Sequence, residues 1–165
     1  MQPRFCYNKR AQETLAAFVN GGRFPHALLL EGPEGSGRRT FAREIAAALF
    51  CRGEHKPCGS CNQCRKVLEK NHPDVEYYGG DGSRRSFHID TIRQLRQNAW
   101  LLPGEAPCRV CVLCGAENMT DQAQNALLKI LEEPPEHTVF ILTAENRAML
   151  LPTILSRVQT IRLEP

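Results

Sequence analysis

Apolar positions along this chain follow two alternating rhythms, short unbroken runs and spaced helical stripes. Leu15, Phe18 and Val19 share one side of a helix expected over residues 11–19, and "NGG" (20–22) supplies a stop of the kind that ends helices. After Pro25 the run "HALLLEG" is too short and too continuously apolar for an amphipathic helix, and it fits a strand buried on both faces. Beyond a glycine-rich turn, Phe41, Ile45, Ala48 and Leu49 keep the i, i+4, i+7, i+8 spacing of a helix laid on a sheet. Then the rhythm breaks: from Cys51 to Cys64, Gly, Pro, His and Cys take over, which predicts an insertion (51–64) followed by a brief helical pattern at 65–70.

The alternation returns in the second half. "DVEYYGG" reads as a strand, "DGSRRS" (81–86) as a polar loop, and Asp90 as the cap of a helix whose inner face holds Ile92, Leu95 and Ala99. "RVCVLC" (109–114) is a second buried strand. Ala123, Ala126, Leu127, Ile130 and Leu131 mark a strongly periodic helix, which "PPEH" ends before the strand "TVFILT" (138–143). A turn-rich "LLPTILSR" leads to a last short strand, "TIRL" (160–163). Strands alternating with helices predict an α/β fold in three layers, with a parallel sheet of five strands covered on both faces. No repeat, linker or low-complexity segment divides residues 1–165, so one domain is expected.

Composition narrows the function less than the pattern does. A chain of 165 residues buries roughly two-thirds of its unfolded surface and needs no disulfide staples. The net charge of +3 is too small to argue for nucleic acid. No segment approaches the roughly 20 apolar residues of a membrane span, and "MQPRFCYNKR" lacks a signal-peptide core, so a cytoplasmic protein with no membrane partner is expected.

The turn between the first strand and the second helix carries chemistry. "GPEGSGRRT" (32–40) nearly fits G-x-x-x-x-G-K-[ST], a phosphate-binding loop in which glycines aim backbone N–H groups at an anion. Gly32, Gly35 and Gly37 can build that cradle. Arg38, however, stands at the lysine position and Arg39 at the magnesium-binding hydroxyl position. Thr40 is turned about 100° away along the helix. The strand "VCVLC" ends in Cys114 and Gly115 where a magnesium-holding carboxylate belongs, and Glu117 lies further out in the following loop. The expectation is a scaffold kept for folding and assembly, with weak or no nucleotide binding and no hydrolysis.

Eight cysteines point to metal rather than disulfides in such a chain. Cys51, Cys58, Cys61 and Cys64 form C-x6-C-x2-C-x2-C, and two C-x2-C turns let sulfurs converge on a tetrahedral structural zinc with no open position for catalysis. His55 reads as a solvated loop residue. Cys108, Cys111 and Cys114 repeat the spacing along a strand, where alternation sends Cys111 to the opposite face, so they cannot converge on one ion. Cys111 and Cys114 are expected to be small buried apolar residues, with Cys108 at the strand entry. Cys6 has no assignment.

"FPHALLLEGPEGSGR", the four-cysteine insertion, "NALLKILEEPP" (125–135) and "LLPTILSR" (150–157) together closely resemble the N-terminal AAA+ domain of bacterial DNA polymerase III clamp-loader subunits, over about residues 8–163. The resemblance implies a P-loop NTPase (AAA+) core. Two kinds of subunit compete: gamma/tau keeps the P-loop lysine and threonine and an Asp-Glu pair at the strand end, whereas delta-prime commonly has altered versions of both. Arg38, Arg39, Cys114 and Gly115 favour delta-prime. The family's Ser-Arg-Cys motif falls on Ser156, Arg157 and Val158, which implies that Arg157 is an arginine finger supplied in trans to ATP on a neighbouring gamma/tau subunit. Thr143 is the residue available for the family's sensor threonine. The implied partners are the gamma/tau and delta subunits and, through the complex, the sliding clamp and primed DNA. The family's lid and C-terminal collar domains are expected to lie outside this chain. Two other readings stay open: an ATP-hydrolysing gamma/tau-type motor, and a zinc-module nucleic-acid binder using Arg52, Lys56, Arg65 and Lys66.

Overall fold

A computed structural model describes residues 8–79 and 87–165; the expected loop 81–86 and Cys6 lie outside the described residues. Five strands, β1 (Ala27–Glu31), β2 (Val75–Tyr78), β3 (Arg109–Leu113), β4 (Thr138–Ala144) and β5 (Gln159–Arg162), form one sheet in the order β2-β3-β4-β1-β5. Every pairing is parallel, with Leu29 opposite Leu142 on one side and Thr160 on the other. The five-stranded parallel sheet expected from the alternation is therefore present.

Period-two alternation splits the apolar strand residues between two helical layers. Leu28, Leu30, Val110, Val112, Val139 and Ile141 face α1 (Lys9–Asn20), α2 (Arg38–Phe50) and α3 (Asn62–Leu68). Ala27, Leu29, Cys111, Leu113, Phe140 and Leu142 face α4 (Ile89–Ala99), α5 (Asp121–Glu132) and the one-turn α6 (Pro152–Leu155). Helices cover both faces of the central strands, which is why β3 and β4 are buried along their whole length, while the edge strands β2 and β5 are only partly buried.

Several local expectations shift. Asp90 does not cap α4: His88 occupies the cap position without a side-chain bond, and Asp90 sits in the first turn, paired with Arg93 at 3.3 Å. An acid there still complements the helix dipole. The helix expected at 65–70 begins earlier, at Asn62, because Cys61 caps it by accepting the Cys64 N–H. "LLPTILSR" contains a helical turn, with Pro152 pre-set for a first helical position. Leu49 is only partly buried, and Phe50 takes the inward place at the end of α2.

The chain leaves β1 toward β2 through one layer and leaves β4 toward β5 through the other. Such divergence opens a crevice at the carboxyl ends of the strands, the usual ligand position in open α/β sheets. The glycine loop after β1 occupies it.

Candidate functional site

The loop is pinned at its base. Gly32 N–H donates to Ala144 O at 3.1 Å, joining the exits of β1 and β4, and Leu163 N–H donates to Glu31 O at 2.7 Å. A side chain at position 32 has no room, since its Cβ would lie 2.6 Å from Ser36 Oγ and 2.7 Å from Leu163 O. Gly35 and Gly37 take left-handed φ angles of 85° and 83°, which side-chain-bearing residues rarely adopt. Gly37 caps α2 and brings no side chain to its first amides, leaving the N-terminal dipole directed toward the loop. The backbone suits an anion.

The side chains around that cradle do not suit magnesium, a hard cation that takes oxygen ligands. Arg38 Nη1 is buried with no hydrogen-bond partner, and Arg39 is exposed. Cys114 immediately follows β3. Burial pushes its thiol pKa up, against the pull of the Arg39 and Arg38 cations. Gly115 N–H donates to Thr143 Oγ1 at 3.0 Å, so Thr143 ties the exits of β3 and β4 together. Glu117 lies in a 3-10 turn (Ala116–Asn118), and its Oε2 is buried without a hydrogen-bond partner. It is the acidic group nearest in sequence to the altered strand end.

At the other end of α2 the chain enters the cysteine cluster. The sulfurs of Cys51, Cys58, Cys61 and Cys64 all lie within 4.8 Å of one another, a set that could hold a metal ion. Tetrahedral thiolates about 2.3 Å from zinc would stand roughly 3.8 Å apart, so only slight contraction is required. Backbone N–H groups already point at the sulfurs: Gly53 and Cys58 at Cys51 (both 3.3 Å), Cys61 at Cys58 (3.2 Å) and Cys64 at Cys61 (3.4 Å). Such donors favour the thiolate, the form that binds metal. Hydrogen bonds from Ser60 and Cys61 bring Cys58 down to about 6. For Cys61, burial opposes ionisation, yet hydrogen bonding outweighs it and the pKa falls. Cys64 is buried and pushed up, so it would surrender its proton only to a bound cation. By contrast, Cys108 and Cys114 pack in the α2 layer and Cys111 in the α5 layer, as strand alternation requires. Burial raises Cys108 to about 11 and Cys111 to about 12.

A buried polar network beside the cluster was not anticipated. Asp74, at the entry to β2, accepts N–H bonds from Gly104 (2.6 Å), Glu105 (2.9 Å) and Ala106 (2.8 Å). Burial alone would raise its pKa, but these three donors hold the carboxyl below the usual range. His72, packed on Phe50, accepts the Asp74 N–H at Nδ1 and meets Gln63 Oε1 at Nε2. The signal available in the sequence is "NHPD", a polar turn wedged between two apolar segments.

Arg157 and Ser156 follow α6 and precede β5, at the edge of the sheet where strands begin. The exposed Arg157 bonds Thr153 O at 3.2 Å and Ser156 Oγ at 3.0 Å, and its other terminal nitrogen meets Glu132 at 3.2 Å. Exposed ion pairs contribute about 0–1 kcal/mol, so the guanidinium can be drawn to another anion at little cost. Because β5 runs parallel to β1, the whole length of β1, five residues at about 3.3 Å each, separates Arg157 from the glycine loop of its own chain.

A three-layer parallel core, with a glycine loop at the exit of its first strand, defines a P-loop protein of AAA+ type. Solved structures agree: a Thermotoga maritima DNA polymerase III gamma subunit-related protein superposes with a TM-score of 0.65 at 28% identity, covering 92% of this chain and 45% of that one. The Thermotoga maritima RuvB Holliday junction branch migration motor gives 0.58 at 16% identity, over 95% of this chain and 43% of its own, a likeness of fold alone. The family model "DNA polymerase III, delta subunit" matches residues 7–165. DNA polymerase III subunit delta' of Bacillus subtilis is 34% identical over 94% of this chain and 47% of its own length, and that of Yersinia pestis 39% over 82% and 41%. Subunit gamma/tau of Mycobacterium tuberculosis is 35% identical over 87% of this chain and 25% of its own. The chain belongs to the delta-prime clamp-loader family of DNA polymerase III, and it spans less than half the length of these relatives. Among the described residues no helix is long and apolar enough to cross a membrane.

Proposed function

We propose that this chain is the AAA+ core of a clamp-loader subunit that hydrolyses no ATP itself and supplies Arg157 to ATP bound by a neighbouring gamma/tau subunit. The observation that carries the proposal is topological: Arg157 stands at the strand-start edge and its own phosphate loop at the strand-end edge. Arg157 therefore serves a phosphate on another molecule, where a finger is worth roughly 10³–10⁵ in rate by stabilising charge on the transferred phosphoryl group. Ser156 Oγ, which bonds both Thr153 O and Arg157, orients it.

The absence of hydrolysis is supported at two independent positions. Arg39 brings a cation to the place of the metal-binding hydroxyl, and Cys114 brings a thiol to the place of a carboxylate. Gly32, Gly35, Gly37 and Arg38 keep the loop's shape, and any anion held there is bound weakly. The four cysteines hold a structural zinc ion, which contributes folding energy and no chemistry. In the full assembly the partners are gamma/tau, delta, the sliding clamp and primed DNA, in the cytoplasm.

Reconstitution tests this directly. Arg157→Ala in a full-length loader should leave assembly intact and depress DNA-stimulated ATPase activity at least tenfold; an unchanged rate would remove the finger role. The 35% identity to gamma/tau favours one competing reading, a motor with an altered loop. Micromolar magnesium-ATP binding with turnover by this chain alone would establish that reading instead.

A further inference from the structure

The four-cysteine site is wired to a segment on the far side of the insertion. Helix α3 is capped by Cys61, contains Cys64, and carries Gln63 and Lys66 to contacts with Glu105 and His72. Gln63 is nine-tenths buried, and its Oε1 lies 2.5 Å from His72 Nε2. Since His72 Nδ1 accepts the Asp74 N–H, its proton is on Nε2 and is donated to Gln63. Asp74 in turn holds the amides of Gly104, Glu105 and Ala106. A second route is direct: Lys66 Nζ meets Glu105 Oε1 at 2.6 Å, and Gln63 Nε2 reaches the same oxygen at 3.5 Å. Both routes start on the helix whose first turn carries two of the four sulfurs.

What they hold is an unusual piece of surface. Trp100, Leu101 and Leu102 are consecutive and 55–77% exposed, at the end of α4. The segment is clamped on one side by Thr138 Oγ1, which donates to Ala99 O at 2.7 Å, and on the other by the Asp74 and Glu105 contacts. The Thr138 and Asp74 clamps are anchored on the sheet, Val110 N–H donating to Asp74 O at 2.9 Å, whereas the Lys66 and Gln63 contacts to Glu105, and the Gln63–His72 bond behind Asp74, come from α3.

We propose that metal at the four cysteines fixes the 100–106 segment through Gln63 and Lys66, so that the metal site governs how the exposed Trp100–Leu102 surface is presented. A seven-residue helix is too short to be stable by itself, and its first turn is organised by the sulfurs. Without metal, Cys61 and Cys64 are linked to Cys51 and Cys58 only through the weak N–H···S bonds of Cys58, Cys61 and Cys64, the start of α3 frays, and both routes lose their anchor on that helix. Gln63 and Lys66 are positioning residues. The inference rests on the four-thiolate reading.

Amide exchange read by NMR or mass spectrometry, together with metal analysis, tests it. In the zinc-loaded chain, Gly104, Glu105 and Ala106 should be protected; removing zinc should speed their exchange at least about tenfold while β1 and β4 stay protected. Gln63→Met with Lys66→Met should show the same acceleration with zinc still bound and respond little to its removal. Zinc binding without either acceleration overturns the coupling and leaves the metal reading intact. Failure to bind zinc overturns both. If chelation exposes β1 and β4 as well, the zinc-loaded double variant decides: full protection at 104–106 refutes the coupling, and acceleration supports it.

Discussion

The two ends of α2 present opposite ways of preserving a site. At its N-terminus the glycine loop keeps its backbone: Gly35 and Gly37 at positive φ, Gly32 pressed against Ser36 and Leu163, and the loop base bonded to Ala144. The side chains that would manage a magnesium ion have been replaced. At its C-terminus the side chains are what persists: four sulfurs converge although the backbone carrying them has almost no regular structure before Asn62. A loop can thus keep its shape because the sheet supports it, whereas a small cysteine module has only its ligands. The first should hold its shape with or without an ion; the second should not.

Stability measurements should separate the two ends by size of effect. Cys61→Ser should be the largest, abolishing tight zinc binding and costing several kcal/mol of cooperative unfolding free energy measured with zinc present, given that structural zinc sites contribute about 10–16 kcal/mol in small peptides. A loss under 1 kcal/mol would make the cluster a group of ordinary buried thiols. Next, Asp74→Asn should cost about 2 kcal/mol, the scale of hydrogen bonds to a buried charge. The sign with pH follows from the lowered carboxyl: the unfolded chain takes up the proton first, so the contribution is complete above about pH 4 and is lost as pH falls through the folded value. Urea titrations at pH 7 and pH 3 check this, and the gap between wild type and Asn variant should shrink at the lower pH.

At the glycine end the effects are smaller. Gly32→Ala should cost about 1–3 kcal/mol, because neither the Leu163 carbonyl nor the buried Ser36 can yield space readily. Arg38→Lys combined with Arg39→Thr should move stability by less than about 1 kcal/mol, since Arg39 is exposed and the shorter lysine withdraws the buried, unpartnered Arg38 Nη1. By calorimetry it should still bind magnesium-ATP poorly, since Cys114 remains where a carboxylate is needed. Tight binding by that double variant would reduce the difference between the two ends to a pair of substitutions.

The fold was legible because its signals are local and redundant. Unbroken runs such as "HALLLEG" and "TVFILT" can satisfy their composition only between two apolar layers, and the stripe from Ala123 to Leu131 has one inward face. Capping was less legible: Asp90 satisfies the residue preference for a cap, but the helix starts two residues earlier than that cap would place it, where Phe87 is buried and Ile89 packs on the core. The cysteine spacing was legible at both places, since a turn gathers sulfurs and a strand divides them. The 72–74–105 network was not, because hydrogen bonds between residues some thirty positions apart leave no periodicity.

Sequence alone determined the layer order, the parallel sheet, the altered residues of the loop and the four candidate ligands, because each depends on residue type and near spacing. Tertiary structure alone decided that Arg157 lies a full strand away from its own loop, and that α3 connects the cysteines to residues 100–106. Both are consequences of which strands lie side by side, and strand neighbours are chosen by the whole packed core rather than by any one segment.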